Sequence, residues 1–171
     1  MNEDFILRKK DKAASESYVE MTEFVFPQHT NALGSVFGGV IMSWVDIAAA
    51  ICAQRHSEKI VVTASIDALH FLAAIRLGWI VNIKASVNYV SHSSCEVGVK
   101  ITTENALTRE THHTASAYVT MVALDSNGKP SNMPGLILET EEQKRRHQDA
   151  LNRRSARLTL KEQLKKRFSE H

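Results

Sequence analysis

Hydrophobic and polar positions change period along this chain, and each change marks an element. Positions 38–53 are apolar or small except at Ser43 and Asp46, and proline is absent. Val40, Ile41, Trp44, Val45, Ala48 and Cys52 recur at helical spacing, which predicts a helix over 38–56, followed by a short turn at 57–59. That helix is apolar nearly all round, so most of its sides should be buried. Its other side, Gly39, Met42, Ser43, Asp46, Ala49, Ala50 and Ala53, is mostly small and permits close approach of another backbone. Before the helix, 15–27 alternates as a strand and ends at Pro27, and 28–37 is a loop. After it come four strand-like runs at 60–72, 80–89, 94–104 and 114–125. In the second of these Ile83, Ala85 and Val87 share a face, and the last closes in a turn at 125–128. One strand, one long helix and then four strands point to an α+β fold, with an antiparallel sheet wrapped round one central helix.

The two ends read differently. Residues 1–14 are charged and expected to be loose. Residues 139–171 contain no Gly or Pro and are helical in character, as one helix or two. Leu151, Leu158 and Leu164 are too sparse there for a core stripe, so a solvated helix is expected. On that reading a chain ending at Leu138 keeps its activity. The organisation is therefore a short N-terminal lead, a domain over 15–135, and a helical tail over 136–171.

Length and charge narrow the classes. A chain of 171 residues is long enough for one domain with a real core. The net charge of +2 is unevenly spread: ten Lys/Arg face six Asp/Glu from 136 onward, against 11 and 13 before it. A basic tail raises contact with nucleic acid or an acidic membrane, but its few apolar anchors argue against both. No run approaches 18 apolar residues, so no membrane insertion is expected, and the N-terminus has no apolar leader. Cys52 and Cys95 do not form a framework; two scattered thiols fit a reducing cytoplasm.

The chemistry begins with Asp46. A carboxylate on a buried helix is costly unless it is paired, protonated or functional. The bland alternative is a cap or an ion pair; the sharper one is a catalytic acid, base or nucleophile. Upstream, Gly38 and Gly39 leave backbone N–H groups unobstructed at the helix start, where the dipole favours a developing oxyanion. Asn31 offers a carboxamide to a substrate or a water. Other templates fail. The eight histidines are scattered, there is no H-E-x-x-H or C-x-x-C, and no metal site is expected. The glycines at 34–39 lack the lysine of a phosphate loop, and G-x-S-x-G is absent.

The run Asn31-x-x-Gly34-x-x-Phe37-Gly38-Gly39 with Trp44-x-Asp46 resembles the hotdog-fold acyl-CoA thioesterases of the acyl-CoA hydrolase type. Val62-Thr63-Ala64-Ser65, Phe71 with Gly78, Ser93-Ser94-x-Glu96-Val97 and Val122-Ala123-Leu124-Asp125 follow in order, then Gly128-Lys129-Pro130 and Pro134. The resemblance spans about 15–135 and implies hydrolysis of fatty acyl-CoA to free acid and CoA, without metal or redox cofactor. It assigns the oxyanion amides to Gly38 or Gly39, substrate or water positioning to Asn31, and base or nucleophile to Asp46. Thr63, with Ser65, orients the water, and the segment with His92, Ser93 and Ser94 holds CoA. Ser91-His92 stands where the family usually has Gly-Arg, so a weaker grip on phosphate is expected. Ala74 and Trp79 depart as well, where the family often has Pro and an acid.

Two rivals remain at this point: a hydratase or dehydratase of the same fold, which wants a histidine beside the carboxylate, and a non-catalytic CoA-ester sensor. The resemblance also implies assembly. Asp46 is expected to face Asn31 of a second copy in a twofold dimer, its sheets joined edge to edge, with a trimer of dimers as the larger form.

Overall fold

The structure is a computed structural model that describes residues 11–169, with side chains as far as Leu164 in the last helix. Its main layer is a five-stranded sheet in the order β2-β4-β5-β6-β3, built from β2 (Val19–Phe24), β3 (Ile60–Ile66), β4 (Ile80–Val90), β5 (Ser94–Asn105) and β6 (Glu110–Leu124). Every pairing in it is antiparallel. Helix α1 (Gly38–Ser57) lies on one face and α2 (Glu141–Ser169) on the other. Short strands β1 (Lys12–Ala13) and β7 (Leu136–Ile137) pair in parallel beside them. This is the hotdog arrangement that the motifs implied.

Period-two alternation puts one face of each strand against α1. Ile83, Ala85 and Val87 of β4 do share the inner face, as their spacing predicted, and Val97, Val99 and Ile101 of β5 continue it. Against them α1 buries Ile41, Trp44, Val45, Ala48, Ala49 and Cys52. Fully burying one such large apolar side chain is worth about 1.5–3 kcal/mol, so this layer carries the core. The helix ends where Glu58 turns left-handed at φ 54° and its N–H closes on the Gln54 carbonyl at 2.7 Å.

Three differences from the sequence reading have local causes. The run 60–72 is a strand only to Ile66: a bulge between Thr63 and Ser65 interrupts it, pairing resumes at Ser65, and the last backbone bond to β6 on this run is Asp67 N–H to the Tyr118 carbonyl at 2.9 Å. Its apolar remainder crosses back to the start of α1 as a loop, tied by Leu72 N–H to the Thr114 carbonyl and by Val36 N–H to that of Ile75. The segment 15–27 opens with a 3₁₀ turn, Ala14–Ser17, and is strand only over Val19–Phe24. Helix α1 is not buried all round either. Met42 and Ile47 are 45% and 44% exposed, and Ser43, Gly38 and Gly39 are exposed with them. Edge strand β3 shows Ile60 and Val62 to solvent on the opposite face of the sheet, in register with Leu124 and Val122.

The largest correction concerns the tail. It is one helix, and it is not merely solvated. Glu96 on β5 is 1% exposed, and α2 brings two guanidinium groups to it. Arg153 binds Glu96 at 2.6 Å while stacking on Tyr118 at 3.5 Å from the ring centroid. Arg157 bridges Glu96 at 2.9 Å and Asp67 at 2.7 Å. Gly98 makes room for this layer, since a Cβ there would stand 2.5 Å from the Asn88 side-chain nitrogen. Removing one partner of such a buried pair costs about 3–5 kcal/mol. At the opposite end of α1, buried His56 joins both flanking segments, meeting Ser17 Oγ through Nδ1 at 3.3 Å and the Pro134 carbonyl through Nε2 at 3.2 Å.

Candidate active site

Asp46 lies on the third turn of α1, where the buried stripe gives way to the exposed face, and it is half-buried. Thr63 on β3 donates its hydroxyl to Asp46 Oδ1 at 2.5 Å. The Thr63 hydroxyl oxygen also lies 3.5 Å from the sulfur of buried Met121. The Thr63 side chain thus points to the inner face, and it fixes one carboxylate oxygen while Oδ2 stays available. No histidine among the described residues bonds Asp46.

At the start of α1 the chain presents donors. No side chain caps the helix, and the first backbone closures are Val40 and Ile41 N–H to the Phe37 carbonyl. Gly38 and Gly39 therefore keep their N–H groups unbonded among the described residues, at the positive end of the helix dipole. The Phe71 ring covers Gly38, 3.5 Å from where a Cβ would sit. A cavity of about 320 Å³ opens there, bounded by Val36, Gly38, Ile41, Phe71 and Ile75. The Phe71–Ile75 wall was read from the sequence as strand and loop, and only the recurrence of Phe71 in the motif pointed to it.

Asn31 organises the loop before the helix. Its Oδ1 accepts from Leu33 N–H at 2.9 Å and from the N–H and hydroxyl of Ser35 at 3.3 and 3.2 Å. With the oxygen held inside the loop, the Nδ2 amide is the end left to donate. Gly34 sits in that turn at φ 71°. Asn31 and Asp46 do not touch within one chain. Eight residues of helix separate Gly38 from Asp46, a rise of about 12 Å.

Of the expected CoA segment, Ser91–Ser94 forms the tight turn between β4 and β5, with Ser91 N–H on the Ser94 carbonyl at 2.7 Å. The carbonyls of His92 and Ser93 accept from Met133 and Ala123, so their backbone is structural. Ser94 lines a second, larger cavity under α2.

The thioesterase superfamily model matches residues 33–109. The uncharacterized acyl-CoA thioester hydrolase YkhA of Bacillus subtilis is 42% identical over 146 residues, covering 85% of each chain. This chain belongs to the acyl-CoA thioesterases of the hotdog fold. A solved family member, the acyl-CoA hydrolase of Staphylococcus aureus in complex with butyryl-CoA and CoA, is 37% identical. It superposes with a TM-score of 0.84 over 92% of this chain and 98% of its own. A hexameric acyl-CoA thioesterase without ligand is 34% identical, with a TM-score of 0.85 over 88% and 97%. Alanine variants of the Staphylococcus aureus enzyme have also been solved, replacing an Asn, an Asp and a Thr at successive intervals of 15 and 17 residues. Asn31, Asp46 and Thr63 follow one another at the same intervals.

Proposed function

We infer that this protein is an acyl-CoA thioester hydrolase, releasing a carboxylic acid and CoA. The observation that carries the reading is Asp46, the one carboxylate on α1, set in its apolar middle, with Thr63 donating to one of its oxygens at 2.5 Å. The matching intervals of the Asn, Asp and Thr in the Staphylococcus aureus enzyme support the same three residues here. Asp46 Oδ2 begins the attack on the thioester carbon, directly or through a water that it deprotonates. The N–H groups of Gly38 and Gly39 receive the developing oxyanion, and the Asn31 amide positions the thioester or the water. A thioester carbonyl is electrophilic and its thiolate leaves without a strong general acid, so this small set suffices and the reaction calls for no metal or redox cofactor. The hydratase reading lacks a histidine on Asp46 among the described residues.

The reacting groups form one site when the exposed face of α1 and edge strand β3 of one protomer meet those of a second. Met42 and Ile47, exposed here, become covered, and the β3 edge gains a pairing partner. The sheets join edge to edge about a twofold axis, giving two equivalent sites at the seam. Hexameric relatives support a further step to a trimer of dimers. No helix among the described residues is long and apolar enough to cross a membrane, and Cys52 and Cys95 are buried free thiols. The proposed location is the cytoplasm.

Thiol release measured over a panel of acyl-CoAs tests the reading. The wild type is expected to turn over, and Asp46→Asn to lose at least about a thousandfold in kcat while still binding CoA. Asp46→Asn turnover within threefold of wild type, in a folded protein, refutes the assignment.

A further inference from the structure

Strand β3 is held from both faces, and the two holds lie four residues apart. On the inner face Thr63 donates to Asp46 Oδ1. On the outer face Arg157 of α2 donates to Oδ2 of Asp67, the residue just after the strand, at 2.7 Å. Positions four apart in a regular strand share a face. Here they do not, because one residue is left out of the ladder between them. Thr63 is in register with inward-facing Met121, and Ser65 with Thr120. The extra residue, Ala64, turns Ser65 to the outer face, where it lines the cavity under α2. It likewise sends Asp67 toward α2 while Thr63 stays inside.

Little else fixes this strand. It is an edge of the sheet, so within the protomer only β6 pairs with it, and the bulge interrupts that ladder beside the reacting group. A slip of one residue exchanges the two faces of a strand, and would carry the Thr63 hydroxyl away from Asp46. Beyond the bulge Asp67 is tied twice. Its N–H donates to the Tyr118 carbonyl at 2.9 Å, and its carboxylate receives Arg157. The next backbone tie to the sheet is at Leu72, five residues on.

Arg157 is a firm anchor for that carboxylate. Its Nη1 also meets Oε2 of Glu96, a fully buried residue of β5, at 2.9 Å. In the strand order β5-β6-β3 it therefore ties the edge strand to the centre of the sheet, over β6. The Asp67 and Arg157 side chains are only 20% and 23% exposed, so solvent and salt screen their pairing less than at an open surface. Asp67 has no other cation as partner among the described residues, whereas Glu96 has Arg153 as well.

We propose that Asp67 is a positioning residue: with Arg157 it pins the end of β3 and so holds the Thr63 hydroxyl on Asp46. The inference rests on the hydrolase reading and deepens it. Asp67 acts through the strand and does not touch the reacting atoms. Helix α2 thereby serves turnover as well as stability.

Asp67→Asn in the full-length protein tests this. It removes the charge, keeps the shape and leaves Arg157 on Glu96, so no carboxylate is stranded. Per folded and assembled protein, kcat is expected to fall about tenfold, with KM and the affinity for free CoA unchanged. Asp67→Glu restores a carboxylate and should bring kcat back to within about threefold of wild type. Amide hydrogen exchange over 60–67 should quicken about tenfold in Asp67→Asn and much less in Asp67→Glu. Arg157→Lys keeps the charge but not the planar fork, and should show the same pattern at about threefold. It carries the test on the same criteria if Asp67→Asn does not fold. For Asp67→Asn, kcat within about twofold of wild type overturns the proposal. So does a loss that falls on KM and CoA affinity, which would put Asp67 against the substrate, or a loss of kcat without faster exchange. A wild type that hydrolyses no thioester refutes the hydrolase reading, while faster exchange in Asp67→Asn still supports the pinned strand. Turnover with neither kcat nor exchange altered in the variant refutes only the pin.

Discussion

Helices α1 and α2 cover opposite faces of one sheet by opposite means. Helix α1 fits by shape: its inner side is Ile41, Trp44, Val45, Ala48 and Ala49, packed on the alternating apolar face of the strands. Helix α2 fits by charge. Its one fully buried residue among those described is Ala150, and its hold on the sheet is Arg153 and Arg157 on Glu96 and Asp67. A shape-based contact degrades in proportion to the volume changed. A charge-based contact fails at single atoms, because each guanidinium lost leaves a carboxylate buried without its partner. The same difference decides what each helix offers. The exposed side of α1 carries Asp46, while α2 offers the two guanidinium groups that hold Glu96 and Asp67.

The sharpest way to break the contrast is to remove α2. A chain ending at Leu138 loses both guanidinium groups while Glu96 remains in the sheet, so it is expected to lose its cooperative unfolding transition in a urea titration. A truncated chain that unfolds at the wild-type midpoint would mean that α2 is only a solvated appendage. Arg153→Met isolates one contact and should cost about 3 kcal/mol, read from the same titration. Replacing Glu96 as well, as Arg153→Met with Glu96→Met, should recover most of that loss, since no carboxylate is then left buried. On the α1 side, Ala49→Leu inserts bulk at a fully buried position and should cost about 1–3 kcal/mol. That loss should not be recoverable by any change of charge.

These helices also show how far the sequence could be read. The apolar run at 38–53 admits one interpretation, and α1 is where its period put it. The alternation of β4 set its faces equally well. The role of α2 was hidden because arginine and glutamate read as solvent-facing by default. The available signal was Glu96, a carboxylate inside an alternating strand, with Arg153 and Arg157 spaced four apart on a distant helix. Periodicity does not encode which strand a helix will cross. The bulge at Ala64 was silent too, since Val62-Thr63-Ala64-Ser65 looks like uninterrupted strand. Asp46, Thr63 and the Gly38-Gly39 amides could be named from residues and motif. What the folded chain adds is the Thr63 hydroxyl on Asp46 Oδ1 and the Phe71 ring over Gly38.

A smaller effect distinguishes the ends of α1. Burial pushes the His56 imidazole below its ordinary range, with Lys12 adding to that, and the Pro134 carbonyl and Glu16 opposing it. In the unfolded chain His56 takes its proton near the usual pH of about 6.5, before the folded protein can. The stability held by neutral His56 is therefore complete above that pH and is lost as pH falls through and below it. The thermal midpoint should decline between about pH 7 and pH 5, and the His56→Gln variant should show a shallower decline over the same window. Equal slopes for the two proteins would place the pH sensitivity elsewhere.

The most direct measurement of the central claim, that each reacting site joins Asp46 and Thr63 of one protomer to Asn31 and the helix-start amides of another, is complementation. Asp46→Asn and Asn31→Ala proteins are prepared separately, each inactive, then mixed under conditions in which subunit exchange is verified by mass. A mixed dimer then contains one site with both residues intact and one with neither, so thiol release should return to about half of the wild-type rate per mixed dimer. Verified exchange with no return of activity would contradict the claim and assign both residues to a site built within each chain.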